Sequence, residues 1–532
     1  MMKKKISELI KEAIENLQKN KTFPVFEMPK ITVEYPGNKD NGDYSSNVSL
    51  QLSKIIKRNP LELARELSRA VFELPEARSV FKIITGEAPG FINFFFSDDY
   101  LRESLKDILE KKDDFGKSKI GGGKKINIEF ISANPTGPLT LGNGRGGFCG
   151  DVLASVLEKA GYEATREYYI NDQGEQIIKL GHSVLKDSEA VYQGDYIEGL
   201  HKRIKRGEAK EVGEKSAMVI FNEMIKPTVK RMGINFDIWF SEKSLYEKKE
   251  VDQVIDDLTK NGFTYKSEGA VWFKSKELDD DKDRVLIRTD GIRTYFASDI
   301  AYLKNKIKRG FEKNILFLGA DHYGYVARLK AAAEALGYGK DQIEPIVMQM
   351  VRLLKDGQEV RMSKRTGIYV TLDELLDEIG LDVARFFFLQ RSANTHLNFD
   401  LSLAKEQSVK NPVYYVQYAH ARICSILRKA NVFLLFKKPN LELLKESQEL
   451  GLIRQLIKLP EIIEDISEDF QVQQLPQYAV DLADSFHRFY EKCLVISDNR
   501  NLSRARLSLI LGARIVFRNT LGLMGISSPK KM

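Results

Sequence analysis

The chain has 532 residues, 43% hydrophobic and 30% charged, enough for roughly three or four domains with substantial cores, and this excludes a disordered or fibrous chain. No stretch approaches the ~18 consecutive apolar residues of a membrane span. Met1–Leu17 lacks the apolar run of a secretory signal, and Glu8, Glu12 and Glu15 argue against a transit peptide. The net charge is +7, with the excess mostly in the C-terminal quarter, which permits a nucleic-acid partner without demanding one. Cys149, Cys424 and Cys493 form no CxxC pair. A disulfide framework and a cysteine zinc site are therefore disfavoured, and a reducing, cytoplasmic setting is expected.

Taken in chain order, residues 1–112 mix helix and strand. Helical spacing predicts helices over Ile6–Asn16, Asn47–Ile56 and Leu61–Phe72, and alternation predicts strands over Val80–Ile84 and Gly90–Phe96. This reads as a small α+β domain. After Gly121-Gly122-Gly123, Ile126–Ile131 reads as a strand. A turn holding Asn134-Pro135-Thr136-Gly137-Pro138 and a glycine-rich run, Gly142–Gly147, lead into a helix through about Ala160. A second strand, Glu163–Tyr169, completes a βαβ unit. Asn314–Leu318 and Ile346–Leu354 read as further strands of a buried parallel sheet. A doubly wound α/β sheet over 113–385, with a mixed insertion around 175–280, fits this texture. From Leu372 the pattern turns helical, with helices expected over Asp382–Gln390, Val413–Val432, Leu441–Leu459, Val480–Val495 and Ser503–Leu521. Residues 386–532 thus read as an α-helical bundle.

Three constellations carry chemistry. A glycine-rich turn that opens a helix presents backbone N–H groups and the positive end of a helix dipole, which favours phosphate. Close packing explains such glycines equally well. The GxGxxG spacing of Gly142, Gly144 and Gly147 admits a dinucleotide reading, although the only second-strand acids are Glu163 and Glu167. The run Arg361-Met362-Ser363-Lys364-Arg365-Thr366-Gly367 is a basic loop able to close over a polyphosphate, or simply a solvated charge run. Finally, Glu129, Asn134, Asp299 and Asp321 are expected to gather at one sheet edge. Paired carboxylates there suit a guanidinium.

The series of motifs strongly resembles the class I aminoacyl-tRNA synthetases, and among them the arginyl-tRNA synthetase family. The matching stretches are Ile131–Arg145 (the region of the HIGH signature), Asn171-Asp172-Gln173-Gly174, Trp239-Phe240-Ser241-Glu242, Tyr295–Tyr302, Gly319–Gly324, Arg361–Gly367 (the KMSKS-type loop), Asp382-Val383-Ala384-Arg385 and Asn411–Arg422. Gly42-Asp43-Tyr44 and Gly90–Phe94 look like that family's extra tRNA-contacting domain. The resemblance implies a Rossmann-like catalytic domain that uses ATP, with magnesium as its counter-ion and no zinc, to join L-arginine to tRNA-Arg. It implies that Glu129, Asn134, Tyr295, Asp299 and Asp321 hold arginine. Gly142, Asn143, His322, Met362 and Lys364 would border ATP, with Lys364, Ser363, Thr140 and Asn143 doing the catalytic work. Phe91 and Asn93 would meet the tRNA elbow; Tyr414, Tyr418 and Arg422 would meet the anticodon stem-loop. A cytoplasmic monomer is expected.

One departure matters. The signature's two histidines are replaced by Thr140 and Asn143. Both can donate hydrogen bonds, but only as neutral groups. Arg145, one helical step on, is a candidate to compensate or else a surface charge. The altered signature keeps open a non-catalytic tRNA-binding paralogue, and the glycine spacing keeps open a dinucleotide-dependent oxidoreductase.

Overall fold

A computed structural model describes residues 2–204, 206–320, 324–359, 371–430 and 438–532. The N-terminal region is a four-stranded antiparallel sheet of β1 (Val33–Glu34), β2 (Tyr44–Ser46), β3 (Phe81–Glu87) and β4 (Phe91–Phe96), in the order β1-β2-β4-β3. Helices Met2–Lys19, Val48–Ile56 and Pro60–Glu73 cover it. The last starts where the sequence dictates, with Pro60 in its first turn and Asn59 Oδ1 accepting from Leu61 N at 2.9 Å.

The central region is a five-stranded, wholly parallel sheet. Its strands are β5 (Lys125–Glu129), β6 (Glu163–Ile170), β7 (Ile238–Ser241) and, after a small antiparallel sheet of β8 (Thr264–Ser267), β9 (Ala270–Phe273) and β10 (Arg284–Ile287), β11 (Lys313–Gly319) and β12 (Ile343–Met348). Their order is β12-β11-β5-β6-β7. The chain runs outward in one direction from β5 and in the other from β11. The β5/β11 boundary is therefore the topological switch point, where open sheets of this kind leave a crevice beyond their strand ends. Residues 175–280, read as an insertion, return to this sheet at β7. C-terminal helices Pro412–Lys429, Ser447–Leu456, Leu459–Asp469, Gln474–Lys492 and Arg500–Leu523 form the bundle.

Three expectations are corrected. Ile346–Leu354 is two strands in different sheets. After β12, the chain crosses at Gln349 and Met350 into β13 (Val351–Lys355), which joins β14 (Gln358–Glu359) and β15 (Leu397–Asp400) in the order β14-β13-β15. Gln349 N donates to Ala393 O, which marks the crossing, and β15 is a strand inside a region read as helical. Leu441–Leu459 is likewise not one helix. A 3-10 turn, Leu441–Leu443, precedes a helix over Ser447–Leu456, which stops short of Pro460 because that ring conflicts with the carbonyl four residues back. The glycine run, finally, is no loop. The helix runs from Leu141 to Lys159, so Gly142, Gly144 and Gly147 all lie within it. A Cβ at Gly144 would lie 2.8 Å from Leu372, and one at Gly147 2.6 Å from Met232. These two glycines serve close packing, and the strand–turn–helix geometry of a dinucleotide fingerprint is absent from this stretch.

Candidate active site

A cavity of about 590 Å³ opens at the switch point. Glu129 reaches it from the end of β5, and Leu316–Gly319 from the end of β11. The chain leaves β5 through Ile131 and Ser132, with φ of +65° and +41°. A β-branched residue rarely adopts such a backbone, and strain of this kind concentrates at functional sites. Asn134 follows and donates from Nδ2 to Gln176 Oε1 at 2.6 Å. Asp299 and Tyr295 come from the first turns of the helix Tyr295–Lys308. Four of the five residues expected to hold arginine thus line one cavity. Asp321 lies outside the described residues.

The charge around this cavity is uneven. Glu129 is ion-paired with Lys306, whose ammonium also lies 4.3 Å from the centre of the Tyr302 ring. Below them Glu167 is fully buried. Burial opposes its charge, but Lys306 and a two-pronged contact from Arg309 (2.8 Å to each oxygen) hold it below the usual carboxylate range, with Tyr302 donating at 2.7 Å. Asp299 has the opposite environment: burial, then Glu242 and Glu129, push it well above its ordinary value. Glu242, only 2% exposed, is pushed up to about 7 by burial, with Ser298 pulling it down and the Asp172 carboxylate adding to the rise. Its Oε2 is buried and has no hydrogen-bond partner among the described residues. Glu242 and Asp299 are therefore carboxylates of raised pKa lining one cavity, and a cation placed between them would favour their ionised forms. Among the described residues no group of three or more His, Cys, Asp or Glu side chains is placed to hold a metal ion.

The wall opposite is Tyr295, whose hydroxyl accepts from Glu175 N at 3.0 Å. Gly174 precedes it at φ +87°, and any Cβ there would lie 2.3 Å from that hydroxyl, so only glycine lets the ring seat. Glu175 and Gln176 open the helix Glu175–Leu185. This helix crosses the helix Ala209–Ile220 at the closest possible range: a Cβ at Gly181 would lie 1.7 Å from Ala209 O, and one at Gly213 1.9 Å from Ile177 O.

The signature helix starts beside the cavity. Asn143 Oδ1 accepts from both the N–H and the hydroxyl of Thr140, at 2.9 Å each. The two residues that replace the histidines therefore cap the helix as a pair. The Thr140 proton is directed inward, and the Asn143 Nδ2 group is the pair's amide donor. Gly142 beside it is exposed. Arg145 neither compensates for the histidines nor lies on the surface. It is 1% exposed and donates to Gln349 O, Ser392 O and Thr395 O at 2.6–2.9 Å, tying the helix to the crossing strand. Met362, Ser363, Lys364 and His322 lie outside the described residues.

The expected tRNA-contacting residues fall in two places. Phe91 and Asn93 line a cavity of about 230 Å³ on the N-terminal sheet; Asn93 is 2% exposed, and its Oδ1 accepts from Ser45 Oγ at 2.8 Å. On the helix Pro412–Lys429, Tyr414 and Tyr418 stack at 6.3 Å, and the Arg422 guanidinium sits 5.2 Å from the Tyr418 ring and 5.4 Å from that of Tyr490. Sequence reasoning missed Glu242, Gln176 and Lys306 as site residues. Only Glu242 carried a signal, as an acid at the end of a short apolar strand.

Comparison with known proteins agrees with this geometry. Residues 201–416 match the model of the tRNA synthetases class I (R) catalytic domain, which defines the class of the core. Residues 4–96 match the arginyl tRNA synthetase N terminal domain, and 416–532 the DALR anticodon binding domain. The chain is 40% identical to an arginine--tRNA ligase of Acetivibrio thermocellus (100% of this chain, 99% of that one) and 43% identical to one of Bacillus licheniformis, with the same coverage. The arginyl-tRNA synthetase structure of Thermus thermophilus superposes with a TM-score of 0.78 at 21% identity, covering 100% of both chains. The chain belongs to the arginyl-tRNA synthetase family.

Proposed function

We propose that this chain is an ATP-dependent ligase that activates L-arginine and transfers it to the 3′ end of tRNA-Arg. The observation that carries the reading is the cavity itself: two carboxylates, the half-buried Asp299 and the buried Glu242, both held above their ordinary range at the switch point of a parallel sheet. A guanidinium supplies the charge and the planar fork of donors that such a pair accepts. Glu129, Asn134, Tyr295, Asp299 and Asp321 hold arginine, and Glu242 joins them.

An arginine carboxylate oxygen then attacks the α-phosphorus of ATP and pyrophosphate leaves. A hydroxyl of the terminal adenosine next attacks the acyl carbon and AMP leaves. Gly142, Asn143, His322, Met362 and Lys364 border ATP, with Lys364 and Ser363 following the phosphates and Thr140 fixing Asn143. Magnesium accompanies ATP as the counter-ion of its phosphates. Phe91 and Asn93 contact the tRNA elbow; Tyr414, Tyr418 and Arg422 contact the anticodon arm. The working units are 1–112, 113–385 and 386–532. We take it to act as a monomer in the cytoplasm, a setting that its three free, buried cysteines suit.

The test is charging of tRNA-Arg with labelled arginine, ATP and magnesium by the purified protein. Charging supports the reading and shows that Thr140 and Asn143 suffice. Tight tRNA binding without charging moves the reading to a non-catalytic paralogue.

A further inference from the structure

The N-terminal domain and the helical bundle share several polar contacts, among them Lys3 with Asp465 and Arg102 with Leu444 O, and one of these contacts centres on a buried acid. Glu461, on the helix Leu459–Asp469, is 4% exposed. Its Oε2 accepts from the hydroxyls of Tyr35 (2.5 Å) and Tyr44 (2.9 Å), and its Oε1 from Lys3 N (2.8 Å). Burial raises both tyrosine hydroxyls above their ordinary range, so they stay protonated donors. The Tyr35 ring also lies within 4.9 Å of Lys3 Nζ and 4.6 Å of Lys458 Nζ. Alongside, Arg454 Nε meets Asp43 Oδ1 at 3.1 Å, while Asp43 Oδ2 accepts from Phe96 N at 2.7 Å.

These contacts fall on both ends of the segment that joins β1 to β2. Tyr35 begins it, Asp43 ends it and Tyr44 opens β2. β2 in turn pairs with β4, Tyr44 opposite Phe94 and Ser45 opposite Asn93. Glu461 of the bundle, with Arg454 beside it, thus anchors the strand that carries the register of the Phe91–Asn93 face. A packing role alone would be served by apolar side chains; three donors converging on one buried carboxylate instead set direction.

We propose that Glu461 is a positioning residue for tRNA, holding the N-terminal domain at the angle from which the elbow face and the anticodon face grip one molecule together. This rests on the tRNA-ligase reading above. Two contacts on one rigid ligand reinforce each other only when their separation matches it.

The test uses the full-length protein. Tyr35→Phe/Tyr44→Phe keeps both rings and removes both hydroxyl donors. Glu461→Gln can still accept from the tyrosines but sets an amide N–H against Lys3 N–H. Each variant should raise the KM for tRNA-Arg at least about tenfold, leaving kcat at saturating tRNA and the KM for arginine within about twofold, the size of change that loss of charge-assisted hydrogen bonds implies. Without tRNA, amide exchange over residues 33–46 should quicken relative to the catalytic sheet. An unchanged tRNA KM overturns the proposal. A fall in kcat with the KM intact overturns it as well, since a general loss of structure would give that. If the glutamine variant unfolds, the phenylalanine pair decides. If the wild-type protein charges no tRNA, the ligase reading fails, and the same comparison made on tRNA dissociation constants still decides the role of Glu461.

Discussion

Asp299 and Glu242 share a cavity but give different measurable signatures. Removing Asp299 takes a charged acceptor from the guanidinium, an interaction of about 1.5–3 kcal/mol. Asp299→Ala should raise the KM for arginine and lower kcat/KM by ~10–100-fold, as steady-state charging would read; unchanged kinetics would remove Asp299 from the site. Glu242 predicts a pH dependence. Its carboxyl titrates near 7 in the folded chain against 4.5 ordinarily. Between those values the folded state holds a proton that the unfolded state has lost, so its contribution to stability declines as pH rises through that window, by about 3 kcal/mol in all. Glu242→Gln should flatten that decline in melts run from pH 5 to 8. Arginine binding has the opposite sense, because the guanidinium favours the ionised form. Affinity should rise toward pH 7 with release of a proton, detectable by calorimetry in buffers of different ionisation heat. A flat profile in the wild-type protein would contradict this.

At the scale of elements, two helices decide how the cavity is finished. The helix Glu175–Leu185 delivers Glu175 to Tyr295 and Gln176 to Asn134, and its seat is set by backbone contact through Gly181 and Gly213. Because the atoms a methyl would meet belong to the main chain, they cannot step aside. Gly213→Ala should destabilise this helix pair by about 1–3 kcal/mol. It should also raise the KM for arginine although residue 213 does not line the cavity. A variant with wild-type melting and kinetics would show that the crossing has slack. A helix running to about Ala160 was legible in the sequence. The role of its glycines was not, because spacing alone does not distinguish a turn that approaches a phosphate from a helix face pressed against Leu372 and Met232. Arg145 was misread for a similar reason: its three carbonyl partners lie more than 200 residues away in sequence.

For the whole molecule, composition and the order of motifs were enough to divide the chain into a mixed N-terminal region, a parallel-sheet core and a helical C-terminal region. They also nominated Glu129, Asn134, Tyr295 and Asp299, which the fold brings to one cavity. They could not reveal Lys306 or Gln176, since neither follows a local pattern and both reach the site through tertiary packing. The excess positive charge of the C-terminal quarter bears on the tRNA. Affinity should fall steeply with salt, with a log–log slope near −0.9 per phosphate contact on duplex arms. Filter binding from 50 to 300 mM salt would measure it, and a salt-insensitive affinity would exclude that region as the main platform.

The two acids of the cavity also bear on error. An amino acid of the same shape as arginine with a neutral urea in place of its guanidinium would fit the space, yet it would bring no positive charge to Asp299 and Glu242. Sites that demand a polar partner reject the analogue lacking it by ~10⁴–10⁵. Fidelity here would come from the charge the substrate must bring rather than from the closeness of its walls, and a proofreading step would add little.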